Sequence, residues 1–135
     1  RKNDLILSAE RIDIKGAWQL PQGGIEENET ALSAARRELQ EETGITSVAF
    51  IQQSAKIYKY DFPSSVSSGL SSKYRGQKLT FVLLDFFGSD DEINLHQPTE
   101  EFSNWKWTSP HTVLNEITDF KFHSYHQAFV EFKLI

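Results

Sequence analysis

The chain predicts an α+β fold, with a mixed β-sheet sandwiched between α-helices in one domain over residues 1–135. Three observations support this. Stretches of strand and helix character follow one another with no internal repeat and no linker. A length of 135 residues suits one domain, which buries roughly two-thirds of its unfolded surface. With 39% hydrophobic residues and 10 Phe, the chain has material for a core.

The elements follow in order. Leu5 to Ala9 reads as a strand, and Lys15 to Glu29 as a loop. Thr30 to Thr43 reads as a helix. Thr30 caps its start, Ala31, Leu32, Ala34, Ala35 and Leu39 favour it, and Gly44 supplies the left-handed residue that ends it. Leu32, Ala35 and Leu39 form its expected buried stripe. Strand character returns over Val48 to Tyr60, and Asp61 to Gly76 is Ser-rich and polar. Leu79 to Phe87 is an apolar run short enough for a buried central strand, and Asp85 to Asn94 is an acidic turn. Trp105 to Thr108 makes a short strand. Ser109 and Pro110 then start a helix as cap and first residue. A last helix carries Phe122, Tyr125, Phe129 and Phe132 as a packing stripe.

Composition removes several function classes. No run approaches the 18 apolar residues of a membrane helix, and no secretory signal pattern opens the chain. Zero Cys excludes disulfides and thiolate zinc sites and fits a cytoplasmic protein. The net charge of −5 argues against binding to duplex DNA, which needs a basic surface. A phosphate-rich end remains an eligible ligand, because a metal and a few local cations can hold it. Arg1, Lys2, Arg11, Lys15, Lys73, Arg75, Lys78 and Lys121 are candidates for those cations. No Ser-His-Asp grouping and no glycine-loop-Lys phosphate cradle is present.

The most informative stretch is GGIEENETALSAARRELQEETGI, from Gly23 to Ile45. It places Glu38, Glu41 and Glu42 on one helical turn, where residues three and four apart are neighbours. Two unit charges about 6 Å apart repel by about 3 kcal/mol at an effective dielectric near 20. Water, an Arg or a metal must offset that repulsion. Gly23 and Gly24 let the preceding backbone turn tightly and approach a ligand.

The stretch fits G-x5-E-x7-R-E-U-x-E-E-x-G-U through Gly23, Glu29, Arg37, Glu38, Leu39, Glu41, Glu42, Gly44 and Ile45. This resembles the Nudix box, the loop-helix motif of hydrolases that cleave a nucleoside diphosphate linked to a further group. The resemblance implies that Glu38, Glu41 and Glu42 bind metal, Mg²⁺ or Mn²⁺ in two or more ions. A backbone carbonyl around Gln22 or Gly23 would be a further ligand. It gives Arg37 the orienting of the catalytic Glu, and Glu29 the steadying of loop on helix.

Outside the box, WQLPQGGI from Trp18 to Ile25 is similar to the entry of one Nudix branch. That branch holds asymmetrical diadenosine tetraphosphate hydrolases and bacterial RNA 5′-pyrophosphohydrolases. Tyr60-Asp61-Phe62-Pro63, Gly76-Gln77-Lys78 and Glu101-Phe102 followed by Trp105-Lys106-Trp107 agree with it. In that branch the Glu of the last stretch reaches the metals. The Phe102 register selects Glu101 over Glu100 for this.

By the same resemblance Arg1, Arg11, Gln22, Gly24, Tyr60, Lys78, Phe120 and Lys121 are expected to bind substrate. Arg11 and Phe120 would lie against a base. Phe122 stands where the RNA-processing members carry Arg, and Leu79-Thr80-Phe81 replaces their usual continuation after Lys78. Family members open with Y-R-x-N-V-G and a full apolar strand. Arg1-Lys2-Asn3 resembles that R-x-N, yet the strand due after it is absent, so we expect residues before Arg1 and place Arg1 near the substrate phosphates.

The function implied is metal-dependent hydrolysis of a phosphoanhydride. The substrate would be a dinucleoside polyphosphate, diadenosine tetraphosphate giving ATP and AMP, or the 5′-triphosphate end of RNA, releasing pyrophosphate. Glu42, Glu38 or Glu101 would be the base. The alternatives are a MutT-type nucleoside triphosphate pyrophosphohydrolase and a non-catalytic nucleotide-binding module.

Overall fold

A computed structural model describes residues 1–61 and 76–135. Most of the Ser-rich segment, with Phe62, Pro63, Lys73 and Arg75, lies outside the described residues. Strand β1 (Ile6–Arg11) lies between β2 (Trp18–Gln19) and β7 (Phe102–Thr108), antiparallel to both. Strands β3 (Val48–Gln53) and β6 (Val82–Phe86) form a second antiparallel ladder, and β4 (Tyr58–Asp61) and β5 (Gly76–Leu79) a third. A parallel element comes from Arg1. Its backbone nitrogen donates to the Leu84 carbonyl and its own carbonyl accepts from Phe86 N–H, both at 2.8 Å. That is the bonding of a parallel pair beside β6.

Three helices complete the chain: α1 (Ala31–Thr43), α2 (Pro110–Glu116) and α3 (Asp119–Glu131). Neighbouring side chains of β1 point to opposite faces of the sheet, and each enters its own core. Ile6 packs with Leu79, Val113, Leu114, Ile117, Tyr125 and Phe129, the side of α2 and α3. Leu7 packs with Ile45, Val48 and Phe86, with Leu39 of α1 against them. The sheet therefore stands between helices, as an α+β fold. Among the described residues no helix is long and apolar enough to cross a membrane.

Local chemistry sets the helix ends. The Thr30 hydroxyl accepts from Ser33 N–H at 3.0 Å, and Gly44 closes α1 at φ 77° with its N–H on the Gln40 carbonyl. Ser109 accepts from Thr112 N–H at 3.1 Å ahead of Pro110.

Several sequence expectations are corrected. The loop over Lys15 to Glu29 contains β2, which exists only through its pairing with β1. The strands expected over Val48 to Tyr60 and Leu79 to Phe87 are each broken, and for one reason. Ser54 N–H donates to the Phe81 carbonyl at 2.8 Å, and the Ser54 hydroxyl accepts from Phe81 N–H at 3.0 Å. The first bond continues the β3–β6 register by one pair, and the second hands the Phe81 N–H to a side chain in place of the Ser54 carbonyl, which ends the ladder there. Within β6 only Leu83 and Phe86 are buried. The last strand begins at Phe102, earlier than Trp105. On α1 the buried positions are Ala34, Glu42 and Thr43, while Leu32, Ala35 and Leu39 are half-buried. On α3, Phe122 leaves the packing stripe: it is 43% exposed and stacks on His126.

Candidate active site

Arg37 is the hub of the loop-helix unit. Its Nε and Nη2 donate to the two oxygens of Glu29 at 2.8 and 3.0 Å, and Nη2 also reaches the Gly24 carbonyl at 2.8 Å. Its Nη1 donates to Glu38 at 2.8 Å and Glu41 at 3.2 Å, with Glu26 at 3.8 Å. A planar guanidinium serves several acceptors at once, which a Lys ammonium cannot do in this geometry. Hydrogen bonding to Glu29 is the largest reason the Arg37 charge is held so firmly, and the same bond lowers the Glu29 pKa. Gly23 passes so near that a Cβ there would land on the Glu38 carboxylate.

Glu42 lies in a different setting on the same helix. It is only 6% exposed, accepts from the Gln22 backbone N–H, and its Oε2 is buried with no hydrogen-bond partner among the described residues. Its pKa is pushed up to about 8, first by burial and then by the charges of Glu38, Glu101 and Glu41. Glu101, whose charge acts on Glu42, lies just before β7, where its carbonyl accepts from Ile12 N–H at 3.0 Å. Glu100 instead faces His96, 3.8 Å away.

These residues fit a divalent cation. A buried carboxylate with an open oxygen beside three like charges is stabilised in its ionised form by a positive charge. All the donors are oxygen, the ligand type of hard cations. Among the described residues no three acids yet converge into a finished cage. Arg37 holds the Glu38 and Glu41 carboxylates on the same Nη1.

A cavity of about 400 Å³ opens beside this unit, lined in part by Arg1, Gln22, Gly23, Gly24, Glu38 and Lys78. Arg1 is tied to Asp85, with Nε to Oδ1 at 2.7 Å. Arg11 closes on Asp13 through bonds of 2.9 and 2.6 Å. Lys121 is buried, its Nζ 3.3 Å from Gln19 Oε1 and 5.8 Å from the Phe120 ring centre. Phe120 is half-buried against the core. Tyr60 lies in β4 opposite Gln77. Tyr125, read from the sequence only as part of a packing stripe, reaches the site: its hydroxyl donates to Gln22 Oε1 at 3.5 Å. A Tyr in an otherwise apolar stripe is the one signal that pointed to it.

Fold and acidic unit together define a hydrolase of phosphorus-containing anhydrides. The chain belongs to the Nudix family: the NUDIX domain model matches residues 1–129. As a Nudix hydrolase it is a pyrophosphohydrolase. It is 46% identical to the RNA pyrophosphohydrolase of Bartonella henselae, over 86% of this chain and 70% of that protein. It is 39% identical to the RNA pyrophosphohydrolase of Bartonella clarridgeiae, over 96% and 78%. Among solved structures, the dihydroneopterin triphosphate pyrophosphohydrolase of E. coli superposes with a TM-score of 0.70 at 19% identity, covering 95% of this chain and 87% of that one.

Proposed function

We propose that this protein removes pyrophosphate from the 5′-triphosphate end of RNA with the help of two or more Mg²⁺ or Mn²⁺ ions. The observation that carries the site is Glu42, a buried carboxylate with an open oxygen among Glu38, Glu41 and Glu101. The substrate is supported by the RNA pyrophosphohydrolases to which the chain is similar.

The divalent ions, when bound, neutralise charge on the phosphate oxygens and make water a stronger nucleophile. Glu38, Glu41, Glu42 and Glu101 would hold them, with the Gly23 carbonyl as a further ligand. Arg37 keeps Glu38 and Glu41 facing the loop. While no metal is bound, burial and its acidic neighbours raise the proton affinity of Glu42, and divalent ions would hold it ionised. Arg1 and Lys78, which line the cavity, offer positive charge to the phosphates, whereas Lys121 is buried against Gln19; Arg11 and Phe120 offer surfaces for a base, with Gln22 and Gly24 along the entry.

The test is product identification after incubation with Mg²⁺ and, separately, triphosphorylated RNA, diadenosine tetraphosphate and free nucleoside triphosphates. Pyrophosphate and monophosphorylated RNA are the expected products. ATP and AMP from the dinucleotide alone, or hydrolysis of free triphosphates alone, would replace RNA as substrate. No product from any of them would leave a binding module. Glu41→Gln should lower turnover at least about a hundredfold with the fold intact, since it removes one metal-holding carboxylate.

A further inference from the structure

Beyond the acidic unit, β4 and β5 carry a feature that their pairing register creates. Lys59 and Lys78 are direct cross-strand partners. Directly opposed residues in an antiparallel pair project to the same face, and like charges there repel. Both side chains are exposed. Some cations of the chain sit on acids, Arg1 on Asp85, Arg11 on Asp13, Arg37 on Glu29 and Lys106 on Glu116. Neither Lys59 nor Lys78 has a carboxylate partner among the described residues.

Place and charge together point to an anion. Lys78 lines the same cavity as Gln22, Gly23, Gly24 and Glu38, and Lys59 stands directly across the strand pair from it. The ribbon is anchored rather than free. The Ser124 hydroxyl donates to the Lys59 carbonyl at 3.2 Å, and the Tyr58 hydroxyl to Glu131 at 2.6 Å, both on α3. Tyr58 and Leu79, one position along on each strand, are buried, which turns Lys59 and Lys78 outward. An acidic chain that fixes two opposed lysines at the rim of a phosphate site has built a local positive field against its overall charge.

We propose that Lys59 acts with Lys78 as a two-cation grip on the phosphate chain of the substrate, away from the bond that is cut. On the proposed RNA substrate, on which this assignment rests, the gripped group is a phosphodiester downstream of the 5′ end. Lys59 is a positioning residue: it binds and does no chemistry. The mutual repulsion of the two ammonium groups is relieved when a phosphate lies between them.

The experiment measures binding, without turnover, of two probes to wild type, Lys59→Gln and Lys59→Arg: a short 5′-monophosphorylated RNA and inorganic tripolyphosphate. At low salt Lys59→Gln should weaken binding at least fivefold. It should also reduce the slope of log affinity against log salt by about 0.7 for the single strand, the loss of one phosphate contact. Lys59→Arg should retain both. The melting temperature of Lys59→Gln should not fall, because a repulsion has been removed. If wild type turns over no triphosphorylated RNA while Lys59→Gln still loses tripolyphosphate affinity, the RNA substrate is wrong and the grip stands. Unchanged affinity and salt slope for both probes would overturn the grip.

Discussion

Arg37 and Glu29 are joined by two parallel hydrogen bonds, Nε to Oε2 at 2.8 Å and Nη2 to Oε1 at 3.0 Å. This fork fastens the glycine loop to the acidic helix, and the same guanidinium reaches Glu38, Glu41 and the Gly24 carbonyl. Lys in its place keeps the charge and loses the fork. Arg37→Lys should therefore lower turnover at least about tenfold, because Glu38 is no longer held. Steady-state kinetics at saturating Mg²⁺ checks this, and an unchanged rate would reduce Arg37 to a surface ion pair.

Gly23 bears on Glu38 through space. A methyl group there would occupy the position of the Glu38 carboxylate, which must then swing away from Arg37. Gly23→Ala should fold normally, since the flexible end of one side chain yields, yet lose turnover at least about tenfold. Circular dichroism and kinetics on the same sample separate the two effects. Full activity would mean that Glu38 need not hold its present place.

Much of this unit was legible in the sequence because its determinants are local. Thr30, Gly44 and the spacing of Arg37, Glu38, Glu41 and Glu42 act within a few residues of one another, and α1 ends where they place it. What was not legible depends on distant partners. Strand β2 needs β1, and the break at Thr80 and Phe81 needs the Ser54 side chain, 27 positions away in sequence. Lys121 reads as a surface cation, but packing of α3 against Gln19 buries it. Phe122 reads as core and is turned outward by the same helix placement. The nearness of Glu101 to Glu42 came only from resemblance, since 59 positions separate them in sequence.

Glu42 should make the metal-free protein sensitive to pH. Its folded pKa of about 8 lies above the ordinary 4.5. Such a raised group contributes stability that is complete below about pH 4.5 and lost as pH rises toward 8. Metal-free wild type should lose melting temperature across that window, and Glu42→Gln should lose less. Above pH 8 the variant should be the more stable of the two without metal. Parallel curves from pH 5 to 9 would show that Glu42 carries no such strain.

On the far side of the ribbon, Tyr58 donates to Glu131 at 2.6 Å, and Ala55 N–H donates to its other oxygen at 2.7 Å. The Tyr58 hydroxyl is the largest cause holding the Glu131 pKa below its usual value. A depressed carboxylate contributes stability above its unfolded pKa and loses it as pH falls through the folded one. Tyr58→Phe should cost about 1 kcal/mol at pH 7, and the difference from wild type should shrink below about pH 4.5 as Glu131 takes up a proton. Urea unfolding at pH 7 and pH 3 measures both values. Equal losses at the two pH values would contradict the coupling.

Glu42, with Glu38, Glu41 and Glu101, is the proposed seat of divalent metal. Calorimetric titration of Mn²⁺ into metal-free protein at pH 7.5 reads that binding without substrate or turnover. Saturable binding to wild type, weakened at least about tenfold in Glu42→Gln, is the predicted result. Identical binding curves for the two proteins would contradict it.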